Sequence, residues 1–232
     1  MDILYILGRG SKHDDKELRL SLRCLENNAE GFDRVFIVGN CPDWLQNVVH
    51  IPAEDTWTAE NNAFQKILKA CKNGISDNFI LMNDDFFMLK HTNLEFYPDY
   101  IRGWLNFRKK TDPYSLSINR TINALRPYCK YPFNYEVHCP IKFNKNKMLL
   151  LDGIAEYFKK EDTGLLVRSF YHNVFSDNPD DFPRGRLVTD TKIYSDTWKE
   201  QNETGCISTS DDCTQILKHI GFMYPNKSRW EK

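Results

Sequence analysis

The run FILMNDDFFMLK, residues 79–90, sets two adjacent carboxylates, Asp84 and Asp85, between two apolar stretches. Neighbouring carboxylates repel each other, and drying them is costly. Either the pair lies at a wet edge, with Asn83 and Asp84 bonding local backbone groups as turn residues do, or a cation is held against it. Mg²⁺ or Mn²⁺ suits the second reading, because a hard cation takes one or two protein carboxylates and fills its other positions with phosphate oxygens. His138 follows the strand-like YEV and precedes Cys139-Pro140. An imidazole titrates near neutrality, so it can take a hydroxyl proton or hold a phosphoryl oxygen, or simply end a strand with a hydrogen bond. Arg168, in LLVRSFYHN, follows an apolar stretch and needs an anionic partner there. That partner is an internal carboxylate or a phosphate clasped by the guanidinium fork.

Such residues act only if the fold brings them together. DILYIL (2–7) is a continuous apolar run of the kind that forms a strand covered on both faces, and it breaks at Gly8-Arg9-Gly10-Ser11. A helix is expected from Asp14, with Glu17 in capping-box spacing and Leu18, Leu22, Leu25 and Ala29 as its buried stripe. RVFIVG (34–39) and NVVHIP (47–52) read as strands. Thr58 to Lys72 reads as a helix stopped by Gly74, and NFILM then leads into the aspartates. This order predicts an α/β fold, a mostly parallel wound sheet with helices on both faces, whose ligand crevice lies beyond the strand carboxyl ends. Gly8, Gly10 and Asn83–Asp85 all fall at such ends, and the glycines would let backbone approach a nucleotide. Arg19 and Arg23 stand at i, i+4 on the first helix, and Arg23 is the one expected at the crevice. Asn61, Asn62 and Lys66 open a helix whose N-terminus is expected to face the same donor. Further on, Pro98 to Lys109 and Asn144 to Lys160 look helical, separated by Pro- and Asn-rich loops. The whole chain is read as one domain with an embedded smaller lobe: residues 1–90 bind nucleotide and 91–232 carry the acceptor and catalytic groups.

Several blocks together resemble the Stealth family of sugar-1-phosphate transferases, which includes capsule-polymerising enzymes. DILYILG is similar to that family's opening strand, with Ile6-Leu7-Gly8 in place of the usual tryptophan-bearing end. HDDKELRLSLRCLE (13–26) resembles its arginine-rich helical block, with His13 where arginine is usual. RVFIVGNCPDWL (34–45), LMNDDFFM (81–88), VHCPIKFNKNKM (137–148), GCISTSDDC (205–213) and YPNKSRWEK (224–232) resemble further blocks in the same order, Ser210 taking an asparagine position. The resemblance implies a GT-A-type fold, a nucleotide-diphosphate-sugar donor, a Mg²⁺ or Mn²⁺ cofactor and a hydroxyl acceptor, either a glycan or a hydroxylated DNA base. It implies Asp84 and Asp85 at metal and diphosphate, with Asp211 completing the metal shell or merely capping the helix after it. By the same analogy His138 assists proton removal and Arg168 takes up phosphoryl charge. Two alternatives stay open: transfer at the anomeric carbon with release of nucleoside diphosphate, and a non-catalytic glycan- or nucleic-acid-binding module.

The totals are compatible with this reading and select little. With 232 residues, 41% hydrophobic and 27% charged, the chain is an ordinary globular one, and its formal net charge of -1 gives no global pull toward nucleic acid or anionic membrane. One local cluster stands out: Arg126, Lys130, Lys142, Lys145 and Lys147, interleaved with Tyr128, Tyr131, Phe133 and Tyr135. It is either a solvated face or a groove for a polyanionic or stacked acceptor. Seven cysteines without C-x-x-C spacing, no apolar run of membrane-spanning length and no signal-peptide pattern lead to the expectation of a reducing cytoplasm.

Overall fold

Strict alternation decides the layering. In the strand β1 (Asp2–Leu7), Ile3, Tyr5 and Leu7 belong to one apolar cluster and Leu4 to another, so both faces are buried, as in a sheet between helical layers. The computed structural model describes residues 1–8, 11, 14–159, 161–175, 185–195 and 203–232. Its elements run β1, α1 (Lys16–Asn28), β2 (Ala29–Glu30), β3 (Val35–Gly39), β4 (Val49–Ile51), α2 (Ala59–Lys72) and β5 (Asn78–Met82). Next come β6 (Phe86–Met88), β7 (Thr92–Asn93), β8 (Tyr100–Ile101), α3 (Pro113–Leu125), β9 (Ile141–Asn144), α4 (Lys145–Leu149) and α5 (Asp152–Phe158). The chain ends with α6 (Val167–Val174), β10 (Arg186–Leu187), β11 (Lys192–Ile193), β12 (Cys206–Thr209) and α7 (Thr214–Met223).

The central sheet has the order β4-β3-β1-β5-β9, parallel except for β9. Its register pairs Leu7 with Gly39 and Tyr5 with Met82, which brings Gly8, Asn40 and Asn83 to one edge. Helices α2, α3, α4, α5 and α6 contribute to the cluster on one face, and α1 to the cluster on the other. A smaller sheet, β11-β12-β6, joins at the turn between β5 and β6, pairing Phe86 with Ser208 and Lys192 with Ser208. The mostly parallel α/β architecture expected from the sequence is the one observed.

Several local expectations are corrected. Helix α1 begins at Lys16 after Asp15 in a left-handed conformation (φ 54°) with no side-chain cap, so the Asp14–Glu17 capping box does not form. Instead Ser11 Oγ donates to Glu17 and accepts from the Asp15 N–H. Pro98 to Lys109 is not a helix. Gly103 at φ +90° breaks the chain there, and residues 102–105 pair with 132–134 through backbone hydrogen bonds. The helix in this region is α3, started by Asp112, whose carboxylate accepts from the Ser115 N–H, with Pro113 in the first turn. The helix expected over 144–160 is two pieces, α4 and α5, broken at Leu150-Leu151. Helix α2 matches its prediction, with Thr58 as N-cap and Gly74 (φ +85°) beyond its end.

Candidate functional site

The turn Asn83-Asp84-Asp85 closes with the Phe86 N–H on the Asn83 carbonyl at 3.2 Å and hands the chain from the large sheet to the small one. It gives the two acids different surroundings. Asp84 is the drier: burial first, then the charges of Asp85 and Glu17, push its carboxyl up to about 7. Asp85 faces β12, where its Oδ2 accepts the Ser208 hydroxyl at 2.5 Å, and the Lys192 ammonium lies 3.7 Å from the same oxygen. Sequence reading missed Lys192, which β11 brings to Asp85 through its register with Ser208.

His138 and Arg168 come to the same place. His138 Nδ1 lies 2.7 Å from Asp190 Oδ1, and Arg102 holds the other Asp190 oxygen at 2.8 Å. Burial alone would raise the Asp190 carboxyl, but the His138 hydrogen bond, the His138 charge and Arg102 outweigh it and hold the group below its ordinary value. An ionised Asp190 accepts the Nδ1 proton, which leaves Nε2 as the bare nitrogen of a neutral ring. Asp190 was also invisible in sequence, lying in RLVTDTK with no motif around it. Arg168, on the first turn of α6, is 7% exposed. Its described partners are the Asn83 side-chain oxygen (2.9 Å) and the Val137 carbonyl (2.8 Å), and its guanidinium lies 5.1 Å from the centre of the Phe86 ring. The internal carboxylate considered as its partner is not among these contacts. Because Val137 precedes His138, the arginine and the imidazole are held as a fixed pair.

Asn83, Arg102, Glu136, His138, Arg168 and Lys192 line one cleft of about 430 Å³ at the carboxyl ends of β1 and β5. Ile6, Ala63, Leu81 and Leu165 supply apolar wall, a mixture typical of small-molecule sites. The cleft lining sets three cationic side chains, Arg102, Arg168 and Lys192, against two acids, Glu60 and Glu136, a balance that suits an anionic group at the cationic end.

The other sequence candidates divide. Gly8 stands at the end of β1, where an added Cβ would meet an Asp55 oxygen at 3.1 Å. Gly10 and His13 lie outside the described residues. Lys66 reaches the strand ends but is engaged, donating to the Leu7 carbonyl (2.7 Å) and to Asp55 (2.5 Å), so it fastens β1 to the 52–58 loop and is not free for a donor. Asn62 is likewise committed: its side chain bonds the backbone of Thr56 and Trp57. Asn61 bonds the Lys159 carbonyl. Arg23 is corrected outright. It forms a two-pronged pair with Glu231 (2.8 Å for each prong) and meets the Tyr224 and Pro225 carbonyls, so it ties α1 to the C-terminal segment. Asp211 is exposed and lies two residues before Cys213, the N-cap position of α7.

Among the described residues no three His, Cys, Asp or Glu side chains are grouped to hold a metal ion, so the expected Asp84–Asp85–Asp211 shell is not assembled by the protein alone. What is present is an all-oxygen pair in which burial first, then the charges of Asp85 and Glu17, raises Asp84 toward neutrality. That suits a hard cation sharing its remaining positions with a diphosphate.

Fold and cleft thus define an α/β protein with a partly cationic crevice beyond its parallel strands, where such sheets place their ligands. No family model matches the chain and no curated protein matches it, so the Stealth resemblance stands on its sequence blocks. Among solved structures the chain is similar to the apo form of mouse xyloside xylosyltransferase 1, with 10% identity over 93% of this chain and 99% of that one and a TM-score of 0.41. Among the described residues no helix is long and apolar enough to cross a membrane, and none of the seven cysteines forms a disulfide.

Proposed function

We propose that the protein is a metal-dependent transferase that moves a sugar-1-phosphate from a nucleotide-diphosphate sugar to an acceptor hydroxyl. The observation that carries this reading is the convergence of Asn83, His138, Arg168 and Lys192 on one cleft at the strand ends, with Asp85 behind it, 3.7 Å from the Lys192 ammonium. A Mg²⁺ or Mn²⁺ ion held by Asp84 and Asp85 would supply charge neutralisation for the leaving nucleotide. His138 Nε2 takes the proton of the acceptor hydroxyl as its oxygen attacks phosphorus, while Asp190 keeps Nδ1 protonated and steadies the imidazolium. Arg168 and Lys192 gather the phosphate oxygens, and the sugar packs against the Ala63, Leu81 and Leu165 wall. Catalysis of this kind is positioning and electrostatics. Attack at phosphorus rather than at the anomeric carbon is what the Stealth resemblance implies.

The test is a panel of UDP-, GDP- and CMP-linked sugars, with and without Mn²⁺, followed by thermal shift and by identification of the released nucleotide. Release of nucleoside monophosphate from a UDP- or GDP-sugar, lost in Asp85→Ala and His138→Ala, is expected. Nucleoside diphosphate as the product would move the attack to carbon, and no response to any donor would leave a binding module.

A further inference from the structure

Two stretches separated in sequence build an aromatic groove. Residues 104–107 and 130–132 surround a space of about 540 Å³, held by the Leu105 N–H on the Pro132 carbonyl at 2.8 Å. Trp104 stacks on Phe133 with 4.3 Å between ring centres and meets Tyr131 edge-on at 5.9 Å. Yet Trp104, Phe107 and Tyr131 remain 52%, 54% and 54% exposed. Large apolar rings gathered at a surface mark a binding site more often than chance.

The rim is basic. Arg108, Lys109 and Lys110 follow Phe107, all exposed, and the Lys130 ammonium lies 5.1 Å from the centre of the Tyr131 ring. Neither 104–111 nor 128–132 contains an acid, in a chain whose formal charge is -1. Asn119 pins the Arg108 backbone through both its N–H (2.8 Å) and its carbonyl (2.9 Å), so the basic run starts from a fixed point on α3. The cluster that looked continuous over 126–147 is dispersed by the fold. Lys142 goes to the Glu95 carbonyl, Lys145 to Asp77 and Lys147 to the Phe175 ring, while Phe133 and Tyr135 are buried. What remains at this face is Tyr131 and Lys130, joined by Trp104 and the 107–110 run.

We propose that this groove binds single-stranded nucleic acid. Bases stack on Trp104, Phe107 and Tyr131, and phosphates follow Arg108, Lys109, Lys110 and Lys130. Flat π-faces spaced along a basic rim are what such strands require; an anionic polysaccharide can also lay its C–H faces on such rings, and the heparin arm of the experiment separates the two. Arg102, two residues before Trp104, lines the cleft, so a strand in the groove would lead toward His138 and could carry the acceptor hydroxyl. That last step rests on the transferase reading, whereas binding in the groove does not.

The experiment is fluorescence anisotropy with a labelled oligothymidine of about 15 nucleotides, titrated at several salt concentrations against the full chain. Four neutralised phosphates give an expected slope of log K against log salt of about -3. Tyr131→Ala should weaken binding about tenfold, and Lys109→Glu with Lys110→Glu should cut the slope by about half. Circular dichroism melts confirm that the variants fold, and nucleotide-sugar thermal shift is measured on the same samples. No binding by the parent chain overturns the proposal. So does binding of heparin as tight as that of the oligonucleotide, with affinity indifferent to Tyr131→Ala. Oligonucleotide binding with no response to any nucleotide sugar would retire the transferase reading and leave the groove standing; a nucleotide-sugar response without oligonucleotide binding would do the reverse.

Discussion

Replacing Asp84 with asparagine removes a charge from a position where the fold holds it at a cost. Burial, then Asp85 and Glu17, lift this carboxyl from 3.8 to about 7. Between about pH 4 and pH 7 the unfolded chain releases that proton while the folded chain keeps it. Stability therefore falls as pH rises through the window, and the penalty is complete above it. A shift of this size corresponds to about 4 kcal/mol at most, and asparagine preserves the shape without the charge. In metal-free buffer at about pH 8, Asp84→Asn should be more stable than the parent by about 1–4 kcal/mol, with the gain vanishing near pH 4. Urea melts in EDTA across this range measure it. Adding Mn²⁺ and a nucleotide sugar should reverse the order, since only the parent keeps the full ligand set. A variant less stable than the parent at pH 8, or one whose difference ignores pH, refutes the reasoning.

Three further outcomes follow from the geometry. Asp190→Asn should lower kcat about 100-fold with little change in KM, because it loosens the tautomer of His138 without touching the donor; a pH–rate profile whose acidic limb moves to lower pH would separate this from simple misfolding. Lys192→Met should raise KM for the donor about tenfold and tighten Mn²⁺ binding at Asp85, read by thermal shift, since the competing ammonium is gone. Arg23→Met should cost about 2 kcal/mol of stability by removing two charge-assisted hydrogen bonds from the buried Glu231 carboxylate, which keeps Ser228 and, at 3.6 Å, Arg19, and donor affinity measured below its melting temperature should stay unchanged.

The first half of the chain was legible because its signals are local. Alternating apolar strands, the Thr58 cap and Gly74 state their structure within a few residues, and the wound sheet follows from their order. Asp85, His138 and Arg168 could be singled out because each is a polar group set against apolar neighbours. Asp190 and Lys192 could not, since their roles come only from the pairing of β11 with β12 and of β12 with β6. Arg23 misled for a related reason. Its helix position is compatible with the crevice, and only the return of residues 224–231 to α1 shows where its charge is spent. The misplaced helix at 98–109 reflects Gly103 and long-range pairing with 132–134, neither of which periodicity detects.

The most direct measurement is an anomalous-difference map, recorded at the manganese edge, from a crystal of the protein grown with Mn²⁺ and a hydrolysis-resistant UDP- or GDP-sugar. The account predicts a peak against the Asp84 and Asp85 carboxylates, with the diphosphate beside Arg168 and the reacting phosphorus facing His138. A nucleotide sugar bound elsewhere, or a cleft that takes up neither metal nor diphosphate while both aspartates keep their protein contacts, would contradict it.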